Sequence, residues 1–334
     1  MAFRVERRRG GVRVRWMDSW NDEVDAACRA LPATSPYSLE SYRLLCDAPV
    51  ELERRLALVE DAEGPMAVIG MWRSETAAWT PVSTDFLPGD PFPCRAGCFA
   101  RAVRALGVEF EASIWDGRLD PFSLGADLVE RAPSHRARAG EIRAGWSKKH
   151  RRTIKQAQDR CGDFRLELNG PDAAEWVAGK IYERWEATTE LLDIYVALCR
   201  HLHERDELQV VRLFDGDRPI GGQISVVLGG TLYMIEVFRE PGYEWHGLGN
   251  RLIELTVDSG IARGDVEWMD LESQHGHYKR KWAPEGGHVD RVIFRPRHIR
   301  VLRRGIEAVS GARRRVVSMR SGGDDAGAGG DADD

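Results

Sequence analysis

The stretch 231-TLYMIEVFREPGYEWHGLGNRLIELTVDSGIAR-263 decides how the rest of the chain is read. Thr231 to Phe238 has the β-branched and aromatic content of a strand, and a polar loop over Arg239 to His246 leads into a helix from Gly247 to Arg263. A strand-to-helix turn carrying Gly247 and Gly249 exposes backbone N–H groups at the positive end of a helix dipole, where the missing Cβ lets a pyrophosphate approach. The same two glycines would equally serve to shape a tight turn. Gly249 is not followed by Lys-Ser or Lys-Thr, so the P-loop pattern is absent, and Leu252 stands where a dinucleotide fingerprint needs its third glycine.

Upstream, Leu208 to Phe214 and Pro219 to Leu228 are strand candidates joined by Asp215-Gly216-Asp217, and Gly229-Gly230 turns into Thr231, giving an antiparallel meander. Two amphipathic helices precede it: one from Asp172 with Val177, Ile181 and Trp185 on one face, the next with Leu191, Tyr195, Leu198 and Leu202. Phe164 to Leu168 reads as a strand, and Trp146 to Arg160 as a cationic helix capped by Ser147. Val266 to Leu271 is the strand that returns after the glycine-led helix.

Toward the start, Val12 to Trp16 alternates as a strand, Asp18 to Leu31 reads as a helix, and Thr34 to Cys46 holds a second. Glu51 to Glu60 and Met66 to Arg73 form a hairpin, Phe86 to Cys98 is a Pro- and Gly-rich loop, and Phe99 to Leu106 is helical. Val108 to Ile114 is a strand, and Asp116 to Pro133 reads as an irregular bridge. The arrangement divides the chain into residues 1–135, 136–310 and a basic-then-acidic tail, 311–334, that lacks an apolar face and should be disordered.

With 334 residues, 43% hydrophobic and 30% charged, the chain can bury one large or two ordinary cores. Charges interrupt every apolar run before a membrane span is reached, and MAFRVERRRGG lacks the apolar centre of a signal peptide, so the expected address is the cytoplasm. The six scattered cysteines then read as reduced thiols. The net charge of −5 resides in the five aspartates of 321–334, leaving a neutral body. Within that body, residues 136–160 hold nine Lys or Arg against two acids, and 295–320 hold nine Arg against one Glu. Such blocks either bind phosphates, nucleic acid or another anionic partner, or form solvated helix faces. The arginines after Phe294 read as a C-terminal helix.

The order of basic helix (SKKHRRTIKQAQ), meander, GLGNRL helix and Asp270-Leu271 strand with trailing HYKRKW resembles the GNAT acyltransferase superfamily. More narrowly, it is similar to bacterial GNAT-like proteins related to the Fem aminoacyltransferases. The likeness is firm over about residues 140–290 and looser over 12–135. It implies an α/β (α+β) fold of tandem GNAT-like domains, each a mixed, mostly antiparallel sheet flanked by helices, with the N-terminal one degenerate. It also implies that the backbone of Val237, Phe238 and Arg239 grips the pantetheine arm of an acyl-CoA co-substrate. The pyrophosphate would lie on the amides of His246, Gly247, Leu248, Gly249 and Asn250. Tyr278 matches the residue that protonates the leaving thiolate, and Lys279 the lysine of the Fem-like Y/F-K signature. Glu244 stands where the family has Arg or Gln, which turns attention to a Fem-type donor, aminoacyl-tRNA.

Aminolysis needs a neutral amine, so a carboxylate beside the acceptor is useful; Glu236 is the first candidate and Glu272 the second. Fixed donors for the oxyanion would come from strand N–H groups or Lys279. The competing readings are a Glu236 paired with an arginine, and Tyr278 and Lys279 as a packed ring and a surface cation. His275 and His277 have no third ligand at diagnostic spacing, so no metal is expected, and no G-x-S-x-G or cysteine nucleophile motif is present. The expectation is an N-acyltransferase acting on a small-molecule or peptide-like amine, with a tRNA-dependent transferase and a non-catalytic anion-binding scaffold as alternatives. Oligomeric state is not legible.

Overall fold

The computed structural model describes residues 6–9, 11–31, 39–48, 53–73, 78–82, 92–115, 126–185, 189–243, 247–273 and 278–296. The C-terminal helix and tail expected after Phe294, the His275 and His277 pair, Glu244 and His246 lie outside these residues.

Five strands form the first sheet: β1 (Glu6–Arg9), β2 (Val12–Met17), β3 (Glu53–Asp61), β4 (Gly64–Arg73) and β5 (Thr80–Pro81), paired in that order and all antiparallel. Helices α1 (Asp22–Ala30), α2 (Leu39–Asp47) and α3 (Phe99–Leu106) pack on it through β4. Asn21 caps α1 by accepting from the Glu23 and Val24 amides at 3.1 Å, and Gly107 ends α3 in the left-handed conformation. β1 lies in the arginine-rich start, which carries no strand periodicity of its own.

The second sheet has eight strands in the order β6-β13-β7-β12-β11-β10-β9-β8. They are β6 (Phe110–Trp115), β7 (Asp127–Arg138), β8 (Arg165–Leu168), β9 (Leu208–Asp215), β10 (Arg218–Leu228), β11 (Thr231–Arg239), β12 (Trp268–Ser273) and β13 (Glu285–Phe294). The pair β11/β12 is parallel and the other pairs are antiparallel. Helices α4 (Lys148–Arg160) and α7 (Leu248–Arg263) cover one face of the meander. On the other lie α5 (Ala173–Trp185) and α6 (Thr189–Glu204), with Trp176 set edge-on to Phe238 at 6.1 Å. Covered on both sides, β9 and β10 are buried nearly end to end, which is why they read as apolar runs rather than as clean alternation.

Two expectations need correction. Residues 127–133 belong to strand β7, not to an irregular bridge. Charges hide its strand character, and partners across the sheet satisfy them: Arg131 grips buried Asp290 of β13 through two bonds of 2.6 and 2.8 Å. β13 itself was not anticipated, for the same reason. Strand β6 and most of β7 also lie before residue 136 yet belong to the second sheet, so the change of sheet falls between β5 and β6. There an isolated parallel bridge, Trp79 to Phe110, joins the sheets through two 2.8 Å hydrogen bonds. Apolar packing continues across the junction, where Phe92 stacks on Phe99 and meets Phe110.

Candidate active site

The site originates in a failure of pairing. β11 and β12 are hydrogen-bonded neighbours only at Thr231/Trp268, Leu232/Met269 and Tyr233/Asp270, and beyond these pairs the strands separate. On its other edge β11 stays paired with β10 to Arg239, but the register slips between Ile224/Glu236 and Ser225/Met234, leaving Ile235 as the extra residue of a bulge. The bulge resets the alternation. Glu236 and Phe238 consequently face α5, as Tyr233 and Ile235 do, whereas strict alternation would turn them toward α7.

The gap holds a cleft of about 480 Å³. Met234 to Val237 and Arg239 line one wall, Leu271, Tyr278 and Lys279 the other, and Gly247 to Asn250 with Ile253 close one end. Of the residues expected from sequence, Glu236, Val237, Arg239, Gly247, Leu248, Gly249, Asn250, Tyr278 and Lys279 all meet here. Phe238 does not line the cleft; it is buried against Trp176.

Helix α7 begins without a side-chain cap, Gly247 taking a left-handed φ of 75°. The Asn250 and Arg251 amides donate to the Gly247 carbonyl at 3.0 and 3.1 Å, while the Leu248 and Gly249 amides find no acceptor among the described residues. A Cβ on Gly249 would sit 3.5 Å from Cδ of Arg239, so a cation lies beside these open amides. A helix N-terminus with an adjoining guanidinium is suited to an anion.

Lys279 opens the short helix α8 (Lys279–Trp282), and its side chain is buried, with 4% of the residue exposed. Its Nζ donates to the Glu272 carbonyl at 3.2 Å. Burial pushes its pKa down, against the opposing pull of Glu272, Asp270 and Glu236. Glu272 sits at a left-handed φ of 60°, pinned by its N–H donating to Oδ1 of buried Asp270 at 2.7 Å. Ser134 of β7 donates to the same carboxylate at 3.2 Å. Burial pushes the Glu272 carboxyl up to about 8. Tyr278, half exposed at the cleft, has its pKa raised by burial and then by Glu236 and Glu272, so it holds its proton firmly.

Glu236 has its pKa raised by burial, with Arg184 and Lys279 pulling the other way. Its Oε1 lies 2.9 Å from Nη1 of Arg184, so Glu236 is paired with an arginine and lines the cleft at once. Arg184, in the last turn of α5, also donates to the Val237 carbonyl at 3.3 Å. The sequence carries no local motif for it. Gln223 of β10, 1% exposed and cleft-lining, was likewise missed; its signal was a polar residue inside the buried run Ile220 to Leu228.

The cationic residues of α4 (Lys148, Lys149, Arg151, Arg152 and Lys155) are exposed. Arg151 and Lys155 border a separate open groove of about 610 Å³ between α4 and α7. Among the described residues, no group of three His, Cys, Asp or Glu side chains is placed to hold a metal ion, and no helix is long and apolar enough to cross a membrane.

Residues 147–280 match the family model described as Acetyltransferase (GNAT) domain. Among solved structures, L-PGS of Bacillus licheniformis superposes with a TM-score of 0.52 at 9% identity, covering 83% of this chain and 92% of that one. A conserved protein of unknown function from Bacteroides thetaiotaomicron gives 0.51 at 10%, covering 83% and 98%. FemX gives 0.49 at 9%, covering 82% and 96%. For the first two, at these identities, the likeness is one of fold. No curated protein matches the sequence significantly.

Proposed function

We propose, from the match of residues 147–280 to the GNAT acetyltransferase domain model, that the chain is an N-acyltransferase moving an acyl group, acetyl in the simplest case, from acyl-CoA to an amine. One observation carries the reading: the edge of β11 beyond Tyr233 and the Leu248 and Gly249 amides, unpaired among the described residues, border a single cleft that also holds Tyr278 and Lys279. The pantetheine arm would lie along Val237 to Arg239, with the pyrophosphate on the Leu248 and Gly249 amides beside Arg239; the Asn250 amide expected from sequence to join them is taken by the Gly247 carbonyl.

The acceptor's nitrogen attacks the thioester carbon and loses a proton to Glu236, directly or through water. Lys279 and strand amides stabilise the oxyanion. As it collapses, the carbon–sulfur bond breaks and Tyr278 gives its proton to the departing sulfur, so that amide and free CoA thiol leave together. The five-stranded unit is read as a degenerate GNAT-like partner, and the setting as cytoplasmic.

The exposed basic face of α4 and its neighbouring groove favour a second reading, with aminoacyl-tRNA as donor. Three measurements separate the possibilities. CoA-dependent thermal stabilisation with transfer from acetyl-CoA supports the first. Transfer abolished by RNase supports the second. The absence of both leaves a non-catalytic scaffold binding an anionic partner.

A further inference from the structure

Among the described residues, three cations line the cleft, Arg184, Arg239 and Lys279, against one acid, Glu236. Arg239 lies against Gly249 at the helix end, and Lys279 is buried with its amine on the Glu272 carbonyl. Arg184 remains, set against Glu236 and the Val237 carbonyl. Its guanidinium lies over the Phe238 ring, 5.6 Å from the centroid, and Nη1 is held by Glu236 Oε1 and the Val237 carbonyl. Its Nε and Nη2 have no partner among the described residues, and 47% of the side chain is exposed. The cleft therefore presents one fixed positive and one fixed negative group 2.9 Å apart, each with unused hydrogen-bonding capacity.

That pattern complements a molecule carrying an ammonium and a carboxylate on the same carbon. A simple amine meets only Glu236 and leaves the Arg184 donors unanswered, while a dicarboxylate places an anion against Glu236. We infer that the acceptor is an α-amino acid, its carboxylate on Arg184 and its ammonium on Glu236. The inference rests on the acyl-transfer reading for its role but not for its test. Glu236 takes one ammonium proton so that the amine can attack, and the nitrogen's second proton replaces the one Tyr278 gives to sulfur; Arg184 acts as the specificity residue for the reaction.

The experiment is isothermal titration of the full chain with a panel of L-amino acids, their decarboxylated amines and their methyl esters, each with and without coenzyme A. The expected result is that at least one amino acid binds about tenfold or more tighter than its amine and its ester. Arg184→Met, which keeps apolar contact with Phe238, removes that preference, and Arg184→Lys restores part of it. Absence of amino-acid binding in both conditions, or a preference unchanged in Arg184→Met, overturns the inference. Amino-acid binding with no transfer from any acyl-CoA would instead refute the donor reading and leave the Arg184 assignment standing.

Discussion

Lys279 is buried and Glu272 partly buried, and loss of water pushes the amine down and the carboxyl up. Tyr278→Phe removes the proton donor and Lys279→Ala removes a charge beside the oxyanion. Each is expected to lower kcat by roughly 10²-fold or more with folding intact, and wild-type rates in both would remove them from the mechanism. Glu272 gives a stability prediction. Its carboxyl sits at about 8 in the fold against 4.5 in the unfolded chain, so between those values the folded chain holds a proton that the unfolded chain has lost. The contribution is full below 4.5 and disappears as pH rises through 8. Urea unfolding from about pH 5 to pH 9 should therefore show wild-type stability falling relative to Glu272→Gln; parallel curves would contradict the buried carboxyl. Of these residues, Tyr278 and Lys279 were legible because they follow a strand in a contiguous motif. Arg184 was not, because only the bulge at Ile235 turns Glu236 toward the helix that carries it.

At the scale of elements, the packing of β10, β11 and α7 sets the cleft. A Cβ on Gly221 would lie 2.9 Å from both the Phe238 carbonyl oxygen and Cδ2 of Leu248. Gly221→Ala is expected to cost about 1–3 kcal/mol and to weaken CoA binding by displacing β11, read by denaturant unfolding and CoA titration. Ser147 accepts from the His150 amide at 3.1 Å, and Ser147→Ala should cost about 1 kcal/mol without touching CoA affinity. This cap was visible in the sequence, as were the helical stripes of α5 and α6 and the glycine entry to α7, because each is a local pattern. The strands β7 and β13 were not. Their charges look solvated when read in line, and only the sheet brings Arg131 against Asp290, or Arg295 against Glu109 at 2.9 Å.

Across the whole molecule, the two sheets share the Trp79/Phe110 bridge and a continuous apolar core in which α2 packs against α6. The site's own wall depends on this frame, since β12 is held by β7, and β7 by β13. Removing the Arg131 guanidinium strips a fully buried carboxylate of its two bonds, and Arg131→Ala should destabilise the fold by about 2 kcal/mol while CoA still binds. The central claim is that the splayed edge of β11 and the entry of α7 receive one donor together. Hydrogen–deuterium exchange with and without acetyl-CoA tests it directly. Protection should appear at Val237 to Arg239 and at Leu248 to Asn250 in the same titration. Unchanged exchange at both segments under saturating acetyl-CoA would contradict the account.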